Sequence, residues 1–472
     1  MAFGSAHAQE RPILLPPVPI ANEPSQGSPQ SSFSPIEPRP LRVLKLSDLE
    51  QIAAGANPTV PAAEALVQQQ QGLMQQAALY PNPTVGYVRT DADRQGQTLT
   101  NGVFVGQEIV TAGKLRLAVE VGRKEVEHAG WQVEAQRLRV LNDVRIRYFE
   151  VLGAKEAIDS AAELALLADE GVTIAKQLIG AGKGTRLDVL QAEMQRSSMS
   201  LAVEEARLRY QLAWRQLAHI LGHPDMPLMA VEGRIDESIP HVEWEEARHT
   251  ILANSPLLRG QAVQIQASQA EIQLVRAQAV PNVSVQVVAQ RDSIQKYSTV
   301  GTFVAIPLPI FNRNQGNILN AQGQLAQQQK ELDRLRLAIL DQLAVAYRQY
   351  MAVRLQAEKM RAEILPRAKE NLELSTAAYK QGQFDFHRVL LARQTYFQTK
   401  MTYIDAMTEL HKSATEIRGM LLTGGLNPTE VGTALQSQAG NTGSRSALLQ
   451  QSMEQRSSGI RNLPGAIQAG DR

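Results

Sequence analysis

The stretch Gly182-Lys183-Gly184-Thr185-Arg186-Leu187-Asp188-Val189-Leu190-Gln191-Ala192 indicates how the chain is organised, because a related stretch follows 200 residues later. The second stretch reads Gly382-Gln383-Phe384-Asp385-Phe386-His387-Arg388-Val389-Leu390-Leu391-Ala392. Other residues recur at the same spacing: Gln69/Gln269, Ala77/Ala277, Pro81/Pro281, Asn82/Asn282, Val85/Val285, Val88/Val288 and Leu221/Leu421. Self-similarity at one fixed spacing indicates an internal duplication.

Each copy is predicted to contain the same elements in the same order. A capping box of Ser47 and Glu50 predicts a helix from about residue 46 that pauses at Pro58. The second copy repeats this helix from Glu243, with a pause at Pro256. After a proline break, the apolar period changes from 3.6 to 2, which predicts strands over 84–90, 99–109, 283–290 and 300–310. Each copy therefore contributes one β-hairpin.

A very long helix follows the hairpin in each copy. Residues 314–381 of the second copy contain one proline, Pro366, which is expected to kink the helix. A helix of this size is about 100 Å long, more than a globular domain needs. Its apolar residues form two seams, one of Leu332, Leu335, Ile339, Ala346, Tyr350, Val353, Ala357, Met360 and Ile364, and a second of Leu340, Leu343, Tyr347 and Met351. Two seams predict a neighbour on each side of the helix, as in a closed cylinder.

The composition limits the location and the partners. The net charge is +1 with interspersed charges, so the sequence indicates no nucleic-acid partner. Cysteine is absent, so disulfides and thiolate metal sites are excluded. No run of about 18 apolar residues occurs, and no transmembrane helix is predicted. Ala6-His7-Ala8 is typical of the cleavage end of a secretory signal, although such a triplet also arises by chance.

These patterns predict five segments. Residues 1–45 are a signal remnant and a proline-rich linker. Residues 46–222 form the first repeat with a β-hairpin at 84–109, and 245–423 form the second with a β-hairpin at 283–311. Residues 223–244 connect the repeats, and 424–472 are expected to be disordered because they lack periodicity and aromatic residues.

The strands constrain the assembly. Four strands in a membrane cannot close a barrel, and open edges leave backbone groups unpaired. Eight strands have an interior filled by side chains, whereas twelve leave a lumen. A trimer is therefore the smallest pore-forming solution.

At this point the chain resembles the TolC-like outer-membrane factors over residues 46–423. The quoted stretches are similar to that family's turn of glycine, five residues, Asp-Val-Leu, any residue and Ala. The stretch Pro307-Leu308-Pro309-Ile310-Phe311-Asn312-Arg313-Asn314-Gln315-Gly316 is similar to the CzcC-like heavy-metal branch. The resemblance implies a mainly α fold with a small membrane β part: duplicated long helical hairpins form a trimeric α-barrel, and a 12-stranded β-barrel with four strands per chain caps it.

The resemblance also implies the partners and a site. The homotrimer would lie in the outer-membrane lipid of a Gram-negative bacterium, extend into the periplasm, and act with a periplasmic adaptor and an inner-membrane pump of the resistance-nodulation-division type. The tips would contact the adaptor through Ala181, Gly182, Lys183, Gly184, Gln381, Gly382, Gln383 and Phe384. Asp188, Asp385 and Arg388 would line the periplasmic entrance. The family has an acid at the position of Arg388, so Asp188 and Arg388 either pair across the closed entrance or are solvated charges.

Other chemistry is not indicated. Residues 180–185 lack the spacing of a phosphate-binding loop. His219 and His223 are four apart, but Gly222 and Pro224 end the helix and no third ligand is near, so no metal site is predicted. No catalytic residue and no cofactor is predicted, and the chain is not expected to be an enzyme. The favoured function is a passive exit duct for heavy-metal cations. A duct for drugs or other organic compounds, and a soluble coiled-coil scaffold, are the alternatives.

Overall fold

The structure, a computed structural model, describes residues 43–92, 98–294, 296–381, 383 and 385–427. The first half contains α1 (Leu46–Ala56), α2 (Thr59–Ala77), β1 (Thr84–Ala92), β2 (Thr98–Ile109), α3 (Lys114–Gly180) and α4 (Arg186–Ile220). The second half contains α5 (Trp244–Asn254), α6 (Pro256–Gln278), β3 (Val283–Asp292), β4 (Ser298–Ala305), α7 (Gln315–Lys359), a π-helical turn (Met360–Ile364), α8 (Leu365–Lys380) and α9 (Phe386–Arg418). The two halves therefore repeat the same order of elements.

The long helices form a layer that is four helices wide at every level. On the strand side of the molecule, α2 packs on α3, α3 on α6, and α6 on α7. On the other side, α4 packs on α3, α3 on α9, and α9 on α7 and α8. The α3 helix spans both levels without a break over 67 residues, or about 100 Å.

The four strands form one antiparallel sheet in the order β1-β2-β3-β4. The register aligns Val85, Val105, Val287 and Thr302 in one row, and Tyr87, Val103, Ala289 and Val300 in another. These residues share one exposed face, which is mostly apolar. The opposite face carries Gln286 and Gln290 together with the Phe104 ring. Alternation along the strands predicts this division because neighbouring side chains point to opposite faces.

The fourth strand is shorter than predicted. The expected strand over 300–310 was wrong for its last five residues, because β4 ends at Ala305. Pro307 and Pro309 follow, and proline has no N–H to donate to a neighbouring strand. The chain then reaches α7 through Asn314, which has φ +61°. Gly113 occupies the equivalent position before α3 and has φ +66°.

The first helix begins at Leu46, but the predicted capping box was wrong. Asp48 accepts the Lys45 backbone N–H at 3.2 Å. Glu50 instead accepts from Arg145 Nε on α3 at 2.6 Å. The carboxylate that the pattern assigned to the cap thus binds a neighbouring helix.

The second long helix changes its hydrogen-bond pattern near Pro366, and the predicted kink stays a prediction. A π-helical turn, Met360–Ile364, ends two residues before the proline. Proline lacks an N–H and crowds the carbonyl four residues earlier, and a wider turn relieves both problems. Of the two predicted seams, the chain itself buries mainly Ile339, Leu343, Tyr350, Val353 and Ala357. Met351 and Ile364 remain exposed.

The largest core lies where the connecting segment 223–243 crosses the long helices. Trp214, Leu217 and Tyr350 are fully buried there. Aromatic side chains also fasten the segment by hydrogen bonds. Tyr148 Oη donates to the Glu232 carbonyl at 2.5 Å, and Tyr350 Oη donates to the Pro240 carbonyl at 2.9 Å.

Both ends of the folded unit differ from the predicted boundaries. Leu44, assigned to the linker 1–45, is buried and pairs with Val231. The expected disorder of 424–472 was wrong for its first residues, because Gly424 and Gly425 donate their N–H groups to the Asp143 carboxylate at 3.1 and 2.6 Å. The remaining tail and the predicted signal remnant lie outside the described residues.

Candidate functional site

The tip of the first hairpin, residues 181–185, is a tight turn between α3 and α4. Gly182 N–H donates to the Ile179 carbonyl at 2.9 Å, and Lys183 and Gly184 donate to the Leu178 carbonyl at 2.8 and 3.0 Å. Gly182 has φ +70°, a conformation that side chains disfavour. These bonds satisfy the last carbonyls of α3, so the helix ends and the chain reverses within a few residues.

Thr185 and Asp188 form the cap of α4. Asp188 Oδ2 accepts from the Thr185 backbone N–H at 2.9 Å and from its hydroxyl at 2.8 Å, while Asp188 N–H donates to Thr185 Oγ1 at 3.2 Å. This reciprocal arrangement is a capping box. The Asp188 carboxylate is therefore engaged within its own hairpin.

The second tip lies between α8 and α9. Gln381 N–H donates to the Ala377 carbonyl at 3.2 Å, and Gln383 N–H to the Ala378 carbonyl at 2.9 Å. The predicted contact residues Gly382 and Phe384 lie outside the described residues. Arg388 Nε lies 4.0 Å from Asp385 Oδ1, and both side chains are mostly exposed. Within one chain Arg388 thus lies beside Asp385, and its pairing with Asp188 between copies stays a prediction.

An apolar cluster holds the two hairpins together just above the tips. Phe386 and Val389 of α9 are 1% exposed and pack with Val172 and Ala175 of α3. The Phe386 ring lies 5.3 Å from the ring of Tyr379 on α8. Burial raises the pKa of Tyr379, whose hydroxyl has no hydrogen-bond partner among the described residues.

Sequence reasoning missed a second contact between the hairpins. Arg393 of α9 is 5% exposed and lies against Gly171 of α3, where an added Cβ would be 2.5 Å from Arg393 Nη1. The equivalent residue of the first copy is Glu193, which instead pairs with Lys176 at 3.1 Å. Two features of the sequence could have identified this contact. The second copy has arginine at the position where the first copy has Glu193, and a glycine lies inside α3.

The described residues contain no group of three histidines or carboxylates that could hold a metal ion. Helix α4 ends at Ile220, and His219 and His223 are both exposed beside Gly222, which has φ +78°. In the described part of the chain, none of the helices is long and apolar enough to span a membrane.

Long helical hairpins with exposed tips, joined to a sheet with an exposed apolar face, are the arrangement that the sequence analysis predicts for an outer-membrane channel protein. Residues 49–223 and 247–421 match the family model of the outer membrane efflux proteins. The chain belongs to the outer membrane efflux protein family. The two matched segments correspond to the two copies.

Individual relatives agree with this assignment. The cobalt-zinc-cadmium resistance protein CzcC of Cupriavidus metallidurans is 27% identical over 398 residues, which are 84% of this chain and 94% of that protein. A solved structure of CusC covers 86% of this chain and 99% of its own at 18% identity, with a TM-score of 0.67. The open-state MtrE channel of Neisseria gonorrhoeae covers 80% and 89%, also at 18% identity, with a TM-score of 0.65.

The family assignment confirms the predicted fold class and the main functional prediction. The chain is an efflux channel component of the outer membrane that extends into the periplasm. It is a passive duct and not an enzyme, and the soluble-scaffold alternative is set aside. Channels of this family are trimers that work with adaptor and pump partners.

Proposed function

We propose that three copies of this chain close into a duct for divalent heavy-metal cations. The duct receives its cargo from an inner-membrane pump through a periplasmic adaptor. The observation that carries this proposal is that the sheet and the helical layer are both open at the same two lateral edges.

The sheet provides the first edge argument. Within the described chain, β1 pairs only with β2 and β4 only with β3, so each outer strand has an unpaired side. Unpaired backbone groups cost several kcal/mol each in hydrocarbon. Pairing β4 of one copy with β1 of the next removes every edge. Three copies of four strands give twelve strands, a number that leaves a lumen.

The helices provide the second edge argument. An exposed apolar stripe runs along α4 and contains Leu187, Leu190, Met194, Leu201, Leu208 and Leu212. Their spacings of 3, 4 and 7 keep them on one side of the helix. On the opposite edge, α7 and α8 expose Leu337, Val345, Leu355 and Leu374. Packing of the α4 stripe on the α7–α8 edge of the next copy is a head-to-tail contact, which closes into a ring.

The tips are the proposed adaptor contact. Ala181, Gly182, Lys183, Gln381 and Gln383 are exposed at the end of the molecule away from the sheet. Beside the first tip, a groove of about 910 Å³ is lined partly by Leu166, Ile174 and Leu178 together with Asp169 and Glu170. An amphipathic helix that presents basic residues to Asp169 and Glu170 would fit this groove, whose remaining charged lining residue is Lys380.

The cargo proposal depends on the similarity to CzcC. That protein, a cobalt-zinc-cadmium resistance protein, matches this chain along nearly its whole length. The likeness to solved outer-membrane channels such as MtrE extends to the fold alone at 18% identity. Heavy-metal cations are therefore preferred over organic compounds as cargo.

Substitution at the α4 edge tests the assembly. Leu208→Glu places a charge in the proposed contact between copies, and Leu208 is 64% exposed in the single chain, so the fold of the chain is unaffected. We expect loss of the trimer band in heat-modifiable gel mobility after in vivo cross-linking of outer membranes. Leu391→Glu is the matched control, since Leu391 is 59% exposed on α9, which packs between α3 and α8 of the same chain and lies at neither edge. A trimer that survives Leu208→Glu and the equivalent change at Leu201 contradicts the proposed ring.

Growth of cells tests the cargo. A strain that lacks its own exit duct is made to express this chain together with the pump and adaptor of the efflux system to which this chain belongs. We expect restored tolerance to cobalt, zinc or cadmium salts and little change toward a panel of organic drugs. Restored drug tolerance without metal tolerance would assign the duct to organic compounds.

A further inference from the structure

Arg393 is a buried cation that lacks a close acceptor in the described part of the chain. Its side chain lies between α9 and α3, 5% exposed, and its Nε and Nη1 atoms have no hydrogen-bond partner among the residues that the structure describes. Buried arginine is normally paired, because removing a charge from water without an acceptor is costly. Burial lowers the pKa of Arg393 for the same reason. The buried position of the Arg393 side chain is therefore energetically unfavourable as long as the guanidinium has no acceptor.

Gly171 is what permits the position. A Cβ at residue 171 would be 2.5 Å from Arg393 Nη1 and 3.2 Å from Cζ. The absence of a side chain thus creates a notch in α3 in which the guanidinium lies. A similar close approach occurs 18 residues earlier, where Gly153 of α3 faces Thr408 of α9. Eighteen residues are about five helical turns, so both glycines lie on the same face of α3.

An acceptor is available next to the notch. Glu170 precedes Gly171 on α3, is exposed, and acts on the pKa of Arg393 in the direction opposite to burial. If the Arg393 and Glu170 side chains rotated and α9 moved slightly away from α3, the guanidinium would leave the notch. It would then form a charge-assisted hydrogen bond with the Glu170 carboxylate at the solvent-exposed surface. Such bonds between guanidinium and carboxylate are strong and directional.

We propose that Arg393 is a latch between the two hairpins with two positions. In the first it lies in the Gly171 notch and holds α9 against α3 above the tips. In the second it pairs with Glu170, and the second hairpin is released from the first. The latch rests on the proposed function, since release matters only if the tips surround an entrance.

Three substitutions test the latch with opposite expectations. Gly171→Ala fills the notch, displaces Arg393 and favours release. Glu170→Gln removes the acceptor of the released position and favours the closed one. Arg393→Met retains an unbranched side chain that packs on Gly171 without a charge, and it also favours the closed position. Conductance of the purified full-length channel in planar lipid bilayers is the readout, and gel mobility of the trimer checks folding.

We expect Gly171→Ala to raise the single-channel conductance or open fraction at least severalfold, and Glu170→Gln and Arg393→Met to lower it. Gly130→Ala is the control for the first change, because an added Cβ meets no atom within 4 Å there on the same helix. Asp159→Asn is the control for the second, because Asp159 is an exposed carboxylate on the same helix and does not line the groove at the tip. A purely structural contact would be weakened by Gly171→Ala and indifferent to Glu170→Gln.

Unchanged conductance for Glu170→Gln and Arg393→Met in folded trimers overturns the latch, whether or not Gly171→Ala folds. Failure of the duct itself is a separate outcome, since it appears as absence of trimers or of conductance in the unsubstituted protein.

Discussion

Replacing Tyr350 by phenylalanine measures how much the hydrogen bonds between the connecting segment and the long helices contribute to the free energy of unfolding. Tyr350 is 0% exposed; its hydroxyl donates to the Pro240 carbonyl at 2.9 Å and accepts the Val242 N–H at 3.0 Å. Phenylalanine keeps the ring and creates almost no cavity. The change therefore removes two buried hydrogen bonds and leaves both backbone groups without this partner; it also removes a longer contact of 3.5 Å from Arg354 Nη1, which is partly exposed.

The magnitude follows from those two groups. A buried donor or acceptor without a partner costs about 1–3 kcal/mol, and a carbonyl less than an N–H. The sum is about 2–4 kcal/mol of unfolding free energy per chain. For a chain of 472 residues the unfolding entropy near 60 °C is about 1 kcal/mol/K, so the melting temperature falls by about 2–4 °C.

The measurement is a thermal melt of the purified channel in detergent, followed by tryptophan fluorescence. Trp214 and Trp244 report on this region, because both belong to the core that contains Tyr350. Tyr347→Phe is the matched control, since Tyr347 lies one turn earlier and its hydroxyl makes no hydrogen bond to the described residues. If Tyr350→Phe melts at the same temperature as Tyr347→Phe, the two hydrogen bonds do not fasten the segment and the reasoning is refuted.

Three further outcomes are expected. Thr185→Ala removes the cap of α4, costs about 1 kcal/mol, and increases hydrogen exchange at the first tip, whereas Thr185→Ser keeps the capping hydroxyl and leaves the exchange unchanged. Val105→Arg places a charge on the exposed apolar face of the sheet, costs about 2–4 kcal/mol near the membrane centre, and reduces the amount of trimer in outer membranes, whereas Val105→Leu does not. Burial lowers the pKa of His411, so the folded protein keeps this ring neutral and loses stability as the pH falls below 6.5. His411→Gln retains a donor to the Ile235 carbonyl, and its melting temperature should fall less between about pH 7 and pH 5.

The duplicated pattern and its period changes predicted most of the architecture. Proline at 81 and 281, alternating valines and a glycine turn in each copy are local signals, and helices α1 to α9 and the four strands occur where those signals place them, except that β4 ends at Ala305, ahead of Pro307 and Pro309. The other misplaced details depend on neighbours distant in sequence. Glu50 binds Arg145 on another helix, and Asp143 captures Gly424 and Gly425 from the far end of the chain. A tail segment without periodicity gives no indication that such a partner exists.

The same difference between local signals and distant contacts explains why only part of the candidate site could be predicted. The turn chemistry of Gly182 and the position of Asp188 can be predicted from local sequence, since a helix reversal and a cap use residues only a few positions apart. The Arg393 position depends on which residue of α3 lies opposite α9, and that depends on how two hairpins align over many turns. A comparison of the two copies isolates the position, because glutamate at 193 and arginine at 393 cannot have the same surroundings.

The pairing of β2 with β3 has a consequence for how the channel assembles. Inside the chain this pairing joins the β-hairpin of the first copy to the β-hairpin of the second. In the proposed ring, β4 of one chain pairs with β1 of the next, which again joins a second-copy hairpin to a first-copy hairpin. The barrel then contains six contacts between neighbouring hairpins, alternately within one chain and between two chains. Three of these contacts between hairpins are intramolecular. They form at an effective concentration that the connecting segment sets, whatever the total protein concentration is. An unfused half-length chain would need six molecules to meet, and its assembly would depend far more steeply on concentration than that of the duplicated chain.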